Sequence, residues 1–117
     1  RLTFKKLVPG KLGYQEWEID VENYNTAVSM FDQIIPKPDY RLEFPHKRQN
    51  WYLDRTLINI NWYPRVKPLV EIEAKSEKKV RDVAKLLGFD PKNLVNKGIV
   101  TILSETLKLK KGQKVKL

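Results

Sequence analysis

The sequence contains no cysteine, and this absence removes two kinds of chemistry. Disulfide bonds are excluded, and so are metal sites that use thiolate ligands. A chain without disulfides is compatible with a reducing compartment, so we expect a cytoplasmic protein. The sequence also lacks any apolar run that approaches the roughly 18 residues of a membrane-spanning helix, so we expect no membrane partner.

Acidic residues are few relative to basic ones. The 117 residues include 23 Lys and Arg but only 14 Asp and Glu, which gives a formal net charge of +9. This excess favours an anionic partner such as nucleic acid, a phosphate metabolite or an acidic membrane surface, although a solvated lysine surface explains it equally well. Lysines are dense in the segment 108–117, which we interpret as a tail that is either loose or exchanged with a second copy in a homodimer.

Regular alternation of polar and apolar residues predicts five strands. They are expected at residues 1–8, 14–21, 41–53, 56–63 and 69–74. Tight turns are expected at Pro9–Gly13 and at Asp54–Arg55. Pro45 interrupts the third strand, where we expect an edge position or a bulge, because proline has no N–H to donate.

A second periodicity, with apolar residues at i, i+3, i+4 and i+7, predicts helices. The first is expected to span about 14 residues, from a cap at Asp20 to the helix-breaking Pro36. The second is expected to run from a cap at Ser76 to Gly88. A short third helix is expected around residues 99–107.

Two pairs of glutamates have the spacing of strand neighbours on one face, Glu16 with Glu18 and Glu71 with Glu73. On the remaining strands, alternation assigns further polar residues to the same kind of face: Lys5, His46, Arg48, Asn61 and Asn59. An open, wet sheet would use such a face for cross-strand ion pairs worth about 0.2–1 kcal/mol each. A closed barrel would instead enclose a polar interior, in which carboxylates hold Mg²⁺ or Mn²⁺ and cations hold phosphate.

Several motifs resemble those of one known family. The segment "ININWYPRVKPLVEIEAKSEKKVRDVAKLLGFD", residues 58–90, is similar to the signature of CYTH domains. This group contains the class IV adenylyl cyclases and the thiamine triphosphatases, which are also called triphosphate tunnel metalloenzymes. "LTFK" at 2–5, "EWE" at 16–18 and "HKRQNW" at 46–51 resemble the family's phosphate-binding strand, second acidic pair and basic strand, in the family's order.

The resemblance implies an α+β fold in which an antiparallel β-barrel, the triphosphate tunnel, carries amphipathic helices on its outside. Residues 1–117 would form a single CYTH-like domain without its N-terminal strand and helix, which we expect to precede Arg1. Carried over by position, the phosphate-binding residues would be Lys5, Arg48 and His46. The ligands of Mg²⁺ or Mn²⁺ would be Glu16, Glu18, Glu71 and Glu73.

Three positions depart from the family pattern. Asn61 stands where aspartate is usual and removes a formal charge from the metal site, while His46 replaces a lysine and Tyr14 an arginine. These changes suggest an altered ligand or a decayed site, unless Lys47 takes the inward place of the basic strand.

The resemblance favours a metal-dependent enzyme acting on a nucleoside or inorganic triphosphate, with conversion of ATP to cyclic AMP and pyrophosphate ahead of triphosphate or thiamine triphosphate hydrolysis. The alternative is a module that binds polyphosphate or nucleotide without turnover. Nucleic acid ranks last as a partner at this point, because it does not account for the paired glutamates.

Overall fold

The structure is a computed structural model that describes residues 1–11 and 13–117. The chain forms two compact units, residues 1–39 and residues 40–117. The first unit contains strands β1 (Leu2–Leu7) and β2 (Tyr14–Ile19) and helix α1 (Tyr24–Ile34). The second contains β3 (Tyr40–Glu43), β4 (Lys47–Leu53), β5 (Thr56–Trp62), β6 (Leu69–Glu73), α2 (Glu77–Leu86), a 3₁₀ turn (Pro91–Asn93), α3 (Ile99–Thr106) and β7 (Gln113–Lys116).

The first unit is built on an antiparallel hairpin. β1 pairs with β2 so that Phe4 lies opposite Trp17 on one face and Lys5 lies opposite Glu16 on the other. This separation of apolar and polar residues follows directly from the alternation in the sequence. The predicted turn at Pro9–Gly13 includes Leu12, which lies outside the described residues.

Helix α1 begins later than predicted. Its N-cap is Asn23, whose side chain accepts a hydrogen bond of 2.9 Å from the backbone N–H of Thr26, so the expected cap at Asp20 is wrong. The helix therefore has 11 residues and ends before Pro36, as a proline requires. None of the described residues of the first unit is buried.

A three-stranded antiparallel sheet with the order β4-β5-β6 forms the centre of the second unit. The hairpin between β4 and β5 turns at Asp54 and Arg55, whose φ angles of 45° and 59° are the left-handed pair that a type I′ turn requires. The predicted turn is confirmed at these two positions, although neither residue is a glycine.

Helix α2 contacts β5 and β6 and supplies much of the core. Its buried residues are Val83 and Ala84, and Ile58 of β5 and Leu103 of α3 are buried in the same unit. The predicted cap is confirmed, since the Ser76 side chain accepts a hydrogen bond from the backbone N–H of Lys79.

The long third strand that the sequence predicts is divided into β3 and β4 around Pro45. β3 does not join the central sheet but pairs in parallel with β7, with Arg41 opposite Lys114. The lysine-rich segment 108–117 is thus an ordered part of the second unit that ends in a strand.

The expected closed antiparallel barrel is wrong. In the described part of the chain, the strands form three small sheets, β1-β2, β3-β7 and β4-β5-β6, and no barrel closes. Alternation shows which way each side chain points, but it does not show which strands share hydrogen bonds. The parallel β3-β7 pair is incompatible with an all-antiparallel tunnel, and the helices therefore do not pack around one. Residues 1–11 and 13–117 form a small α+β fold with three α-helices and seven strands.

Among the described helices, none combines the length and apolar character that crossing a bilayer requires.

Candidate functional site

One face of the β4-β5-β6 sheet collects the polar side chains that the sequence analysis singled out in this unit. In the antiparallel register Arg48 lies opposite Asn61, and Asn59 lies between Asn50 on β4 and Glu71 on β6. Because alternate residues share a face, Glu73 belongs to the same side. We call this surface the polar face: Arg48, Asn50, Asn59, Asn61, Glu71 and Glu73.

Arg48 is held by two neighbours on the polar face. Its Nε donates a hydrogen bond of 2.6 Å to Oδ1 of Asn61, and its Nη2 lies 3.5 Å from Oε2 of Glu71. The side chains of Arg48 and Glu71 are 42% and 40% exposed, so solvent screens this ion pair and its contribution is about 0–1 kcal/mol. Its main effect is to fix where the guanidinium lies.

Two buried asparagines lie beside this ion pair. Asn59 is 1% exposed and Asn61 0%, and Nδ2 of Asn59 donates a hydrogen bond of 3.3 Å to Oε1 of Glu73. Within the described residues, Oδ1 of Asn59 and Nδ2 of Asn61 have no hydrogen-bond partner. A buried polar atom without a partner costs about 1–3 kcal/mol, and both atoms have almost no exposed surface, so a ligand reaches them only after neighbouring side chains move.

The orientation of both amides follows from their charged neighbours. An arginine only donates hydrogen bonds, so Asn61 presents its oxygen to Arg48; an ionised carboxylate only accepts them, so Asn59 presents its nitrogen to Glu73. The unpartnered atoms are therefore one acceptor, on Asn59, and one donor, on Asn61. A ligand that satisfies both atoms has to bring a hydrogen-bond donor or a cation to Oδ1 of Asn59. It also has to bring an oxygen that accepts a hydrogen bond from Nδ2 of Asn61.

The predicted site residues of the first unit lie together on the polar side of its hairpin. Nζ of Lys5 is 2.8 Å from Oε1 of Glu16, and Glu18 accepts a hydrogen bond of 3.3 Å from Thr3 Oγ1. Nη1 of Arg1 lies 3.4 Å from Glu18. Each glutamate of this pair thus has a cationic partner within its own hairpin.

The structure also shows the surroundings of the altered positions His46 and Tyr14 and of Lys47, the alternative residue of the basic strand. His46 lies just before β4 and stacks on the ring of Tyr63, with ring centroids 5.4 Å apart and planes at 22°. Lys47 lies on the sheet face opposite Arg48, with its Nζ 5.8 Å from the centroid of the Trp62 ring. Tyr14 pairs with Leu7 in the first hairpin.

The polar face contains oxygen atoms of the kind that bind hard divalent cations. They belong to two carboxylates, Glu71 and Glu73, and one amide, Asn59, and Mg²⁺ and Mn²⁺ prefer such ligands. Among residues 1–11 and 13–117, no three His, Asp or Glu side chains come close enough to hold a metal ion by themselves. Asn59 is the residue that sequence reasoning undervalued, and its place in the "LININ" alternation was the available signal.

Comparison with known proteins does not assign the chain to a family. It matches no family model, no curated protein and no solved structure. The similarity to CYTH domains is therefore limited to short sequence motifs, and the polar face is the structural basis for a proposed function.

Proposed function

We propose that the polar face of the β4-β5-β6 sheet binds a polyphosphate, such as a nucleoside triphosphate or tripolyphosphate, together with Mg²⁺ or Mn²⁺. The observation that carries this proposal is the grouping of Arg48, Glu71 and Glu73 with two buried amides on one face, where Oδ1 of Asn59 and Nδ2 of Asn61 have no partner among the described residues. A metal–polyphosphate complex offers both kinds of group that these atoms lack.

Different residues of the polar face suit the two parts of such a ligand, the phosphates and the metal ion. The Arg48 guanidinium and Nδ2 of Asn61 can donate hydrogen bonds to phosphate oxygens, and arginine suits phosphate because its donors form a planar fork. Oδ1 of Asn59 and the carboxylates of Glu71 and Glu73 can offer oxygen to a divalent cation. Positive and negative side chains on one surface fit a ligand whose two halves carry opposite charges.

Turnover of the triphosphate is the further hypothesis that comes from the resemblance. In a cyclase, the ribose 3′-hydroxyl would attack the α-phosphate; in a triphosphatase, water would attack instead. In both reactions the protein contributes positioning and charge neutralisation, which are the roles open to Arg48, Asn61 and the two glutamates. The roles of Lys5, His46, Glu16 and Glu18 remain predictions from the resemblance.

Binding without turnover is the second candidate function, and Asn61 favours it. An amide at the position of the family's aspartate leaves the site with one carboxylate fewer, which weakens its attraction for a divalent cation. A site of this kind can still hold a phosphate chain through Arg48.

Calorimetry on the full chain with ATP and with tripolyphosphate, each with and without Mg²⁺ or Mn²⁺, tests the proposal. We expect Glu71→Gln and Glu73→Gln to lose the metal-dependent part of the affinity, and Glu71→Ala or Glu73→Ala to lose any metal-dependent turnover. Glu22→Gln, which changes the same charge on an exposed residue of the first unit, is the matched control.

Product analysis in the same samples separates the two candidates, because an enzyme forms cyclic nucleotide or phosphate and a binding module forms neither. Equal affinity in the Glu71 variant and the Glu22 control would overturn the metal role. Failure of the parent protein to bind either ligand would overturn the proposed function as a whole.

A further inference from the structure

Positive charge is concentrated in the second unit. Residues 40–117 contain eighteen of the 23 Lys and Arg residues and eight of the 14 Asp and Glu residues, which leaves a net charge of +10. Residues 1–39 have five basic and six acidic residues, and so a net charge of −1. The whole basic excess of the protein therefore belongs to the unit that contains β3 and β7.

The segment 108–117 has five lysines and no acidic residue, and backbone hydrogen bonds join it to α3 and β3. It leaves α3 through Lys108, which has a left-handed φ of 54°, and the N–H of Leu109 bonds to the carbonyl of Ser104 at 2.9 Å. A tight turn follows, in which the N–H of Gln113 bonds to the carbonyl of Lys110 at 3.1 Å. These bonds place the lysines at defined positions.

Pairing with β3 then orders the lysines of β7. Lys114 lies opposite Arg41 in the parallel register, and the N–H of Leu117 bonds to the carbonyl of Glu43 at 2.8 Å. Along the segment all five lysines are exposed, whereas Leu109, Val115 and Leu117 are half-buried. The apolar residues anchor the segment and the lysines are exposed, with Nζ of Lys116 lying 3.5 Å from Oε1 of Glu43 on β3.

We propose that this lysine surface (Arg41, Lys108, Lys110, Lys111, Lys114 and Lys116) binds the phosphate backbone of duplex nucleic acid without reading its sequence. Residues two apart in a strand, such as Lys114 and Lys116, repeat at about 6.6 Å, and each strand of a duplex carries one phosphate per roughly 3.4 Å of helix axis, so a row of lysines can face a dense row of phosphates. The amide oxygen of Gln113, within this surface, accepts a hydrogen bond of 3.0 Å from the N–H of Lys110, and the lysines around it are exposed, so we expect contacts with the backbone.

The same observations favour nucleic acid over an anionic membrane. A membrane-binding segment inserts apolar side chains beside its lysines, but here Leu109, Val115 and Leu117 are turned partly inward. The surface uses residues other than those of the polar face, so it can be tested independently of polyphosphate binding. Its position was concealed in the sequence because the parallel β3-β7 pairing joins segments that are distant along the chain.

The test is a titration of a labelled duplex DNA of random sequence with the full chain, at salt concentrations from about 50 to 200 mM. We expect the logarithm of the affinity to fall linearly with the logarithm of salt, with a slope of about −0.9 per phosphate contacted and no steeper than about −5. The variant Lys110→Glu/Lys114→Glu should lose at least tenfold in affinity, and its slope should become about two units shallower.

The matched control is Lys85→Glu/Lys92→Glu, which makes the same charge change at exposed lysines of α2 and the 3₁₀ turn. We expect it to lose much less affinity than the β7 variant. A parallel Lys110→Gln/Lys114→Gln protein removes the two charges without introducing acids beside Arg41, and its circular dichroism verifies the fold.

Three results would overturn the proposal. The first is an equal loss in the control, which would mean that only net charge matters. The second is affinity that does not depend on salt, or no binding at the lowest salt. The third is tighter binding to phosphatidylserine vesicles than to duplex DNA with the same dependence on Lys110 and Lys114, which would assign the surface to a membrane.

Discussion

Nε of Arg48 donates a hydrogen bond of 2.6 Å to Oδ1 of Asn61, and this contact ties an outer strand of the sheet to its central strand. The acceptor is buried and neutral, while the charge of the arginine is balanced by Glu71. The guanidinium is therefore positioned by an amide and neutralised by Glu71, so an anion that binds Arg48 has to compete with this carboxylate or arrive with a cation.

Substitution of this pair should show that the two residues are energetically coupled. We expect Asn61→Ala to lower the free energy of unfolding by about 1–3 kcal/mol and Arg48→Ala to lower it by about 1 kcal/mol, because the arginine remains partly solvated. Urea denaturation of both single variants and the double variant should give a coupling energy of about 0.5–1.5 kcal/mol. Lys92→Ala combined with Asn61→Ala is the control and should be additive; additivity in the Arg48 cycle would contradict the prediction.

The cap of α2 should contribute measurably to stability. Ser76→Ala removes the hydrogen bond to the N–H of Lys79, and we expect a loss of about 1 kcal/mol in the free energy of unfolding. Ser76→Asp keeps an acceptor at the helix N-terminus and should be close to the parent protein. Chemical denaturation measures both, and equal losses in the two variants would show that the side-chain bond is not what stabilises the helix.

The β4-β5 turn contains strain that a glycine should relieve. Arg55 has a φ of 59°, where a residue with a Cβ is about 1–2 kcal/mol worse than in the ordinary right-handed region. We expect Arg55→Gly to raise the free energy of unfolding by roughly 0.5–1 kcal/mol after the entropy cost of glycine is subtracted. Arg55→Ala keeps the Cβ and should show no gain in thermal unfolding; a gain of the same size in both variants would refute the argument.

Protonation of Asp82 should contribute to the loss of folding stability at low pH. A hydrogen bond of 2.9 Å from Lys78 lowers the pKa of Asp82 below its ordinary value of 3.8, and the charge of Lys78 acts in the same direction. A group whose pKa is lower in the folded state stabilises the fold above pH 3.8, and that stability is lost as pH falls through the folded pKa. NMR titration should show the pKa of Asp82 rising in Lys78→Gln, with a smaller rise in Lys85→Gln; no change in Lys78→Gln would contradict the assignment.

Local features of the fold could be predicted from the sequence because they depend on near neighbours. Alternation placed Arg48, Asn61 and Glu71 on strands, and the cap at Ser76 and the turn at Asp54–Arg55 were readable from residue type. Asn23 replaced Asp20 as the first cap, because several residues in that stretch have suitable side chains and only the backbone decides between them.

Pairing between distant strands could not be predicted in the same way. The sequence indicated what each face contains, and a closed barrel was one way to arrange those faces. The partner of β3 is β7, which lies at the far end of the unit and reads by composition as a charged tail. Likewise, burial of Asn59 and Asn61 depends on the position of β5 inside its sheet, which alternation does not reveal.

The parallel β3-β7 pair also has a consequence for folding on the ribosome. β3 opens the second unit and β7 closes it, so almost the entire unit has to be synthesised before the two strands can meet. The β4-β5-β6 hairpins can form as they emerge from the exit tunnel, but β3 stays an unpaired strand edge until translation of the unit is complete. Ribosome-bound nascent chains that stop before Gln113 should therefore expose this edge to chaperones.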